Sequence, residues 1–211
     1  KPKGVLHAHR ALSRHTRSMR EVFGIDESNI YWCTADPGWI TGTSYGITGP
    51  LGLGLTQISY AGSFNGEAWM KIIQSEKISH LYTSPTALRM LAKESTTRFK
   101  ASDASSLKAI FSIGEPLNPS VIEWGRNTLG LEIFDTYFQS ETGAIMIANR
   151  PGVPVKPGSM GKPLSDVSAA ILDEAGNLMP ANTTGELAFR AGWESQFLSY
   201  LNNSAASTSR F

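Results

Sequence analysis

The chain has 211 residues, of which 41% are hydrophobic and 18% are charged, a composition typical of globular proteins. Its 19 basic and 18 acidic residues give a formal net charge of +1. This balance argues against a broad nucleic-acid surface, because such a surface needs clustered basic charge. Cys33 is the only cysteine, which excludes an internal disulfide. Since no secretory or membrane-spanning segment is evident either, we expect a reducing, cytoplasmic location.

The first helical pattern carries basic and apolar residues at intervals of three and four. This spacing predicts an amphipathic helix with one solvated face and one buried face. The basic residues expected in solvent are Arg10, Arg14, Arg17 and Arg20. The residues expected on the buried face are Ala8, Leu12, His15, Met19 and Val22.

Short strand patterns alternate with helical patterns through the first two-thirds of the chain. The five predicted strands are Ile30–Thr34, Thr56–Tyr60, Ser79–Tyr82, Lys108–Ile113 and Leu131–Tyr137. Helices are predicted over Glu67–Ser75, after Ser84 and after Asn118, and in the last two a proline follows the capping residue. Strand–helix–strand units at this spacing predict an α/β fold, with a largely parallel sheet flanked by helices.

The last third of the chain has a different composition. Residues 150–158 contain too much proline and glycine for a helix. Two strand patterns follow, at Ala169–Leu172 and Glu186–Arg190, with a hairpin-like turn between them. The sequence therefore predicts an α/β subdomain over residues 1–148 and a smaller β-rich subdomain over residues 149–211.

Polar side chains cluster where two successive predicted strands end. The strand Lys108–Ile113 is followed by residues 114–116, of sequence GEP, and the run Leu131–Phe134 leads into FDTYFQSETG at residues 134–143. In parallel α/β sheets the carboxyl ends of strands share one edge, and ligands bind there. Glycine allows close approach of a ligand to the backbone, and a ring such as Tyr137 offers a stacking surface for a base.

Ser140 and Glu141 allow two interpretations. A serine hydroxyl can donate to a phosphate, and a carboxylate is a hard oxygen ligand suited to Mg²⁺. The same pair could instead form a helix N-cap with an acidic residue in the first turn. Lys3, which precedes Gly4, could reach phosphate oxygens. These residues alone leave both a structural and a nucleotide-binding role open.

Several segments together resemble the acyl-adenylate-forming superfamily. Lys1–His7 is similar to the end of its Ser/Thr/Gly-rich phosphate loop. Residues 114–116 and 135–143 resemble the adenine-pocket and central motifs of its AMP-forming acetyl-CoA synthetases. Tyr31–Trp39 and Lys156–Pro163 also resemble that branch. The resemblance covers essentially the whole chain in order, and it implies part of the superfamily's large N-terminal domain.

The resemblance implies roles for individual residues. Lys3 would contact the ATP phosphates and Glu141 would hold Mg²⁺, so these two are the implied catalytic residues. The residues implied in ATP or AMP binding are Gly114, Glu115, Pro116, Asp135, Thr136, Tyr137, Phe138, Gln139 and Ser140. The residues implied in the acyl pocket are Ile40, Thr41, Ile113 and Phe138. The residues implied near the CoA channel are Thr41 and Asn65.

The implied activity is that of an acetate–CoA ligase, which converts acetate and ATP into acetyl-AMP and then transfers the acetyl group to CoA. Its partners would be small molecules, namely a short-chain acid, ATP and CoA with Mg²⁺, and neither nucleic acid nor a membrane. Phe138 departs from the pattern, since acetyl-specific members usually carry tryptophan there. A smaller ring leaves more room, so propionate or a somewhat longer acid stays open.

Three other functions stay open at this stage. One is a related ligase for propionyl, medium-chain or aryl acids. Another is a non-catalytic nucleotide-binding or interaction member of the same superfamily. The third is a serine hydrolase, because residues 42–46, of sequence GTSYG, match the G-x-S-x-G pattern.

The resemblance also sets expectations for the two ends of the chain. The sequence starts at Lys1 without a methionine and stops at Phe211. The first half of the family's phosphate loop, its ribose-binding aspartate and its mobile C-terminal domain would lie outside these limits. We therefore expect the 211 residues to be a piece of a longer polypeptide and to lack synthetase activity by themselves.

Overall fold

The computed structural model describes residues 3–98 and 104–208 of the chain. Its strands are β1 (Val5–Leu6), β2 (Ile30–Cys33), β3 (Thr56–Ile58), β4 (His80–Thr83), β5 (Ala109–Ser112), β6 (Ile133–Tyr137), β7 (Ile147–Ala148), β8 (Lys162–Pro163), β9 (Ala169–Leu172), β10 (Glu186–Phe189) and β11 (Ser199–Tyr200). Its helices are α1 (Ala11–Phe23), α2 (Ile40–Thr43), α3 (Gly49–Gly52), α4 (Gly66–Ser75), α5 (Pro85–Arg98), α6 (Pro119–Trp124) and α7 (Ser204–Thr208). The π-helical turns are Ser44–Thr48, between α2 and α3, and Gly125–Leu129, after α6. None of the helices in the described part of the chain has the length and apolar character needed to cross a membrane.

Seven strands form one mixed sheet, in the order β3-β2-β4-β5-β6-β7-β8. The pairs from β3 to β6 are parallel, whereas β7 pairs antiparallel with both β6 and β8. The predicted α/β fold, with a largely parallel sheet flanked by helices, is therefore confirmed. The five predicted strands correspond to β2 through β6, and the three predicted helices correspond to α4, α5 and α6.

Alternate residues of the parallel strands enter two separate cores, because successive side chains of a strand point to opposite faces. Tyr31 of β2 and Phe111 of β5 pack toward α1, where the ring centroids of Phe23 and Phe111 are 4.4 Å apart. Trp32 and Ile110 belong to the other core, together with apolar residues of α4, α5 and α6. The central strands are buried on both faces, as is typical of parallel sheets.

Helix α1 buries an arginine that was predicted to lie in solvent. Arg14 is only 1% exposed and forms an ion pair with Asp166, while Leu12 is 47% exposed. The face predictions for these two residues were therefore wrong, because a distant carboxylate neutralises the charge that periodicity assigned to the surface. The predictions were confirmed for the exposed residues Arg10, Arg17 and Arg20 and for the buried residues His15, Met19 and Val22.

Two smaller antiparallel pairs complete the fold. Strand β9 pairs with β10, at the two strand patterns predicted in the last third of the chain. Strand β1 pairs with β11, so residues near the two ends of the sequence lie side by side. The division of the chain at residue 149 stays a prediction, and β8, which follows it, still belongs to the main sheet.

Gly161 allows the chain to pass directly over the end of β7. Its φ is 100°, and a Cβ at this position would clash with the backbone of Ala148 and Asn149. We expect Gly161→Ala to lower the free energy of unfolding by about 3 kcal/mol or more, because backbone strain and steric overlap act together. Gly152→Ala is the matched control, since Gly152 has a φ of 81° but no atom within 4 Å of an added Cβ.

The control should cost only about 1–2 kcal/mol, the usual penalty of a left-handed alanine. Urea-induced unfolding followed by circular dichroism measures both losses. Equal losses for Gly161→Ala and Gly152→Ala would contradict the proposed close approach.

His80, at the start of β4, makes stability depend on pH. Burial, and secondarily the nearby charge of Lys108, lowers its pKa from 6.5 to about 4. The unfolded chain therefore binds a proton at higher pH than the folded protein does. The contribution of neutral His80 to the free energy of unfolding is therefore fully present above about pH 6.5, and it is lost as the pH falls toward 4.

We expect the non-titrating variant His80→Gln to abolish about 2–3 kcal/mol of the decrease in unfolding free energy between pH 7 and pH 4. Urea unfolding at several pH values measures this difference. His9→Gln controls for the loss of a histidine, because His9 is exposed. A His80→Gln curve parallel to that of the unsubstituted protein would show that another group causes the acid sensitivity.

Candidate functional site

Strands β5 and β6 run in parallel, so their carboxyl ends lie next to each other. Ser112 is paired in register with Asp135, and its hydroxyl donates to Asp135 Oδ1 at 2.6 Å. The backbone N–H of Thr136 donates to the same oxygen at 3.1 Å. Burial raises the pKa of Asp135, and these hydrogen bonds oppose that shift. The Asp135 carboxylate thus ties the ends of the two strands together.

The segments that follow these strands line one hollow of about 1010 Å³, here called the first hollow. The implied nucleotide-binding residues on its wall are Gly114, Glu115, Pro116, Asp135, Thr136, Tyr137, Phe138 and Gln139. Residues 156–161, Ile171 of β9 and Leu187 of β10 also line it, as do Ile113, Leu117, Asn118, Pro119 and Ile147. The two strand ends therefore share one hollow, as expected from the parallel arrangement.

At the wall of the first hollow, Gly114 leaves its backbone accessible, whereas the side chain of Glu115 is engaged in hydrogen bonds. Gly114 has a φ of 94°, and an added Cβ would meet nothing within 4 Å, so its backbone is open to a ligand. The Glu115 carboxylate accepts hydrogen bonds at 2.8 Å from the side chains of Thr86 and Arg89. The hydrogen bond from Arg89, and to a smaller extent that from Thr86, lowers the pKa of Glu115 and favours its charged form.

Tyr137 and Thr136 point to opposite faces of β6. The Tyr137 ring stacks on Phe189 of β10, with centroids 6.3 Å apart, and its hydroxyl accepts from the Gln139 amide at 2.9 Å. The buried Thr136 hydroxyl accepts from the Tyr82 hydroxyl at 2.8 Å and donates to a backbone carbonyl of β5 at 2.7 Å. Tyr137 is thus held at the wall of the first hollow, while the Thr136 hydroxyl is occupied within the sheet.

A second hollow, of about 550 Å³, adjoins the first. All four implied acyl-pocket residues lie on its wall, namely Ile40, Thr41, Ile113 and Phe138. Ser140, Asp36 and Trp39 also line it. The residues that line both hollows are Ile113, Gly114, Glu115, Phe138 and Gln139. The two hollows therefore meet at the carboxyl ends of β5 and β6.

Phe138 packs against Tyr45 where the hollows meet. Its ring contacts the Tyr45 ring edge-on, with centroids 5.3 Å apart and an interplanar angle of 73°. The Tyr45 hydroxyl in turn accepts from the Ile145 N–H at 2.7 Å and bonds the Ser18 hydroxyl at 2.8 Å. Because Tyr45 is buried and two hydrogen bonds hold its hydroxyl, we expect the size of the ring at position 138 to set the space beside it.

The G-x-S-x-G match does not form a nucleophile elbow. Residues 42–46 lie within a continuous helical segment from Ile40 to Gly52, not at a turn between a strand and a helix. The Ser44 side chain is 0% exposed, and its hydroxyl donates to the Gly143 carbonyl at 3.4 Å. A hydroxyl enclosed in this way cannot attack a substrate. The serine hydrolase interpretation is therefore wrong.

Asn65 lies apart from the two hollows and lines neither of them. It is the N-cap of α4, and its side-chain oxygen accepts from the Ala68 N–H at 2.9 Å. This capping hydrogen bond explains why an asparagine stands at position 65 without any contact to a ligand. The structure thus brings Thr41, but not Asn65, to the second hollow.

Two histidines hold the loop that follows β6. A ring nitrogen of His7 donates to the Ser140 carbonyl at 2.7 Å, and one of His15 donates to the Gly143 carbonyl at 2.9 Å. Burial lowers the pKa of His15, although its bond to Gly143 opposes the shift. The neutral ring is thereby favoured, and it can donate to the loop with one nitrogen and accept from a hydroxyl with the other.

The segment before β11 holds the same loop from another side. The Ser195 hydroxyl and the Trp193 indole donate to the Thr142 carbonyl at 2.7 and 3.0 Å. The Phe197 N–H donates to the Glu141 carbonyl at 3.0 Å. These contacts fix the backbone from which the Glu141 side chain projects.

Lys3 and Glu141, the implied catalytic residues, line neither hollow, but both contact Tyr200. The Tyr200 hydroxyl donates to Glu141 Oε1, and Lys3 Nζ lies 4.6 Å from the centroid of the Tyr200 ring. Local sequence patterns did not indicate this tyrosine, because they do not reveal a contact with a residue 59 positions away.

Glu141 suits a magnesium ion that is shared with phosphates, not an all-protein metal cage. Within residues 3–98 and 104–208, no group of three or more His, Cys, Asp or Glu side chains could hold a metal. Mg²⁺ usually takes one or two protein carboxylates together with phosphate oxygens and waters. Glu141 is partly exposed, and the hydrogen bond from Tyr200 engages only Oε1.

Known proteins resemble this chain in sequence and in fold. Acetyl-coenzyme A synthetase of Bacillus subtilis (strain 168) is 44% identical over 202 residues, which are 96% of this chain and 35% of that protein. Acetyl-coenzyme A synthetase of Pyrobaculum arsenaticum is 40% identical over 203 residues, covering 92% of this chain and 30% of that protein. The chain thus spans about a third of the length of the curated relatives it matches.

Solved structures of an acyl-CoA synthetase and a benzoate CoA ligase also match this chain in fold. The crystal structure of a Brucella canis acyl-CoA synthetase matches with a TM-score of 0.89 and 38% identity, over 98% of this chain and 38% of that one. A benzoate CoA ligase from Burkholderia xenovorans LB400 matches with a TM-score of 0.90 and 26% identity, over 99% of this chain and 42% of that one. The family described as AMP-binding enzyme matches residues 1–201. Since that match covers nearly the whole sequence, this chain belongs to the AMP-binding enzyme family.

Proposed function

We propose that this chain forms the nucleotide- and acid-binding part of an AMP-forming acid–thiol ligase, with acetate or another short-chain acid as its substrate. The observation that carries the proposal is the meeting of the two hollows at residues 113–115 and 138–139. A nucleotide in the first hollow and an acid in the second would have their reacting groups close together. Such positioning is the main requirement for attack at a phosphorus atom.

In the first half of the reaction, a carboxylate oxygen of the acid attacks the α-phosphorus of ATP. The bond to the β-phosphate breaks, and pyrophosphate leaves with the electron pair. Tyr137 and residues 114–116 would border the base, and Lys3 would neutralise charge on the phosphates. Glu141 would hold Mg²⁺, which supplies further charge neutralisation when it is bound. No protein nucleophile is needed, which agrees with the enclosed position of Ser44.

In the second half, the CoA thiol loses its proton and its sulfur attacks the acyl carbon, and AMP leaves with the electron pair of the broken C–O bond. Thr41 is the better supported of the two implied CoA-side residues, because it lines the second hollow beside Ile40. The α4-capping geometry of Asn65 lends no support to its implied contact with CoA, which stays a proposal.

Acetate is the first choice for the acid, because the relatives at 40–44% identity carry the name acetyl-coenzyme A synthetase. Phe138 widens that choice, since its ring borders the second hollow and is smaller than tryptophan. A methylene group in an apolar pocket changes binding by about 1–3 kcal/mol. A catalytic role is favoured over a non-catalytic one because Lys3 and Glu141 are both present and both contact Tyr200. A cytoplasmic location stays a prediction.

The test is an ATP–pyrophosphate exchange assay on the full-length protein with acetate, propionate, butyrate and benzoate. We expect exchange with acetate or propionate. Phe138→Trp should narrow the pocket and lower kcat/KM for butyrate relative to acetate by about tenfold or more. Phe64→Trp is the matched control, because Phe64 packs on Trp69 in the other core, with ring centroids 4.9 Å apart.

Exchange with benzoate alone would replace the short-chain assignment by an aryl-acid ligase. Exchange with none of the four acids would reject the proposed activity. An unchanged acid preference in Phe138→Trp would reject the role of this residue in the acyl pocket.

A further inference from the structure

Strand β11 carries a buried tyrosine that contacts both Lys3 and Glu141, the residues proposed to meet the ATP phosphates and Mg²⁺. Its backbone pairs with β1, so that Tyr200 lies opposite Val5. The Leu201 N–H donates to the Gly4 carbonyl at 2.8 Å, and the Leu198 N–H donates to the Leu6 carbonyl at 2.7 Å. The chain that follows Lys3 is therefore held along β11 by backbone hydrogen bonds.

Tyr200 is itself firmly anchored. Its side chain is 2% exposed, and its ring packs on Phe197 with centroids 5.2 Å apart. Its backbone N–H donates to the Ser207 hydroxyl at 2.9 Å. Because β1 and α7 hold its backbone and the buried ring packs on Phe197, we expect the ring to have little freedom to change its position.

The Tyr200 side chain serves two charged groups in different ways. Its hydroxyl donates to Glu141 Oε1, and hydrogen bonds to a charged acceptor are among the stronger ones in proteins. Its aromatic face lies under the Lys3 ammonium at 4.6 Å, within the range of a cation–π interaction. One rigid side chain thus sets the distance between a cationic and an anionic group.

The Glu141 carboxylate is directed by this hydrogen bond. Its backbone carbonyl accepts from the Phe197 N–H at 3.0 Å, and its Oε1 accepts from Tyr200. With the backbone and one oxygen fixed, the direction of Oε2 is fixed as well. In the described part of the chain, no hydrogen bond from a protein donor to Oε2 is present, which suits a metal ligand.

We propose that Tyr200 is a positioning residue that orients Glu141 for a Mg²⁺–ATP complex and holds Lys3 beside it. This inference rests on the proposed nucleotide-binding function. Tyr200 acts through Glu141 and Lys3, and its aromatic ring and its hydroxyl have separable effects.

Substitutions can separate the two contributions. Tyr200→Phe keeps the ring under Lys3 and removes the hydrogen bond to Glu141. Tyr200→Leu removes both interactions. Tyr60→Phe is the matched control, because it removes a phenolic hydroxyl from a residue that packs on Trp32, away from both hollows. Circular dichroism and thermal unfolding verify that each variant is folded.

The primary measurement is binding of Mn²⁺ to the full-length protein in the presence of ATP, followed by electron paramagnetic resonance. We expect Tyr200→Phe to weaken Mn²⁺ binding about tenfold, the size typical of a lost hydrogen bond to a charged group. Glu141→Gln should weaken it at least as much. The double variant, with Tyr200→Phe and Glu141→Gln together, should bind Mn²⁺ only slightly more weakly than Glu141→Gln alone, because the tyrosine acts through the carboxylate. Tyr60→Phe should bind like the unsubstituted protein.

Pyrophosphate exchange provides a second readout. Tyr200→Phe should lower kcat about tenfold and leave KM for the acid within about twofold, since the acyl pocket is untouched. Tyr200→Leu should in addition raise KM for ATP, because Lys3 loses its support.

The outcomes separate this inference from the proposed function. Normal Mn²⁺ binding and exchange in Tyr200→Phe would overturn the positioning role alone, and so would additive losses in the double variant. If the unsubstituted protein binds Mn²⁺ and ATP but exchanges with no acid, the proposed activity fails. The binding data would then still decide the role of Tyr200. If the unsubstituted protein binds no Mn²⁺ in the presence of ATP, both proposals are overturned.

Discussion

The parallel pairing of β5 with β6 is the constraint on which the rest of the site depends. Ser112 and Asp135 are register partners, and the hydrogen bond between their side chains fixes that register at the carboxyl ends of both strands. A slip of one residue would turn each side chain of β6 to the opposite face. Tyr137 would then leave the first hollow, and Thr136 would lose its bond to Tyr82. The hollow exists because this register places both strand ends at one edge.

The sequence predicted those parts of the fold in which local pattern and final environment agree. Strands β2, β4, β5 and β6 are short, largely apolar runs in the sequence, and they are buried on both faces in the structure, so hydrophobicity alone indicated them. Strand β3 lies at the edge of the sheet and is only partly buried. Strands β7 and β8 contain only two residues each, too few to form a pattern. Their pairing is decided by the loop after β6 and by Gly161, not by their composition.

Arg14 shows the limit of periodicity. Helical spacing placed this arginine among solvated residues, but the hydrophobic stripe of α1 includes its position. Burying an isolated charge would be very unfavourable, so the prediction was reasonable for a helix considered by itself. Asp166, 152 positions away, offsets the cost of burying this charge by forming an ion pair with Arg14. A pattern confined to one helix contains no information about such a partner.

The site residues likewise include some that local sequence patterns indicated and some that depend on distant parts of the chain. Residues 114–116 and 135–139 could be predicted because they directly follow strands whose direction was inferred. Residues 156–161, Ile171 and Leu187 reach the first hollow through tertiary packing, and their own segments gave no reason to place them there. Tyr200 is the extreme case, since its neighbours in space come from the beginning and the middle of the sequence.

Lys3 and Glu141 are held together by the β1–β11 pair and by the contacts of Tyr200. The pair β1–β11 contains two residues from each strand, and closing so long a chain segment has an entropic cost that so few hydrogen bonds scarcely offset. The stability of the pair must therefore come mainly from side chains, above all from the enclosed Tyr200 ring and from the contacts of His7 and Ser195 with the loop after β6. The same contacts hold Glu141 and Lys3. The pairing of β1 with β11 and the alignment of the two charged groups therefore depend on one set of side-chain contacts.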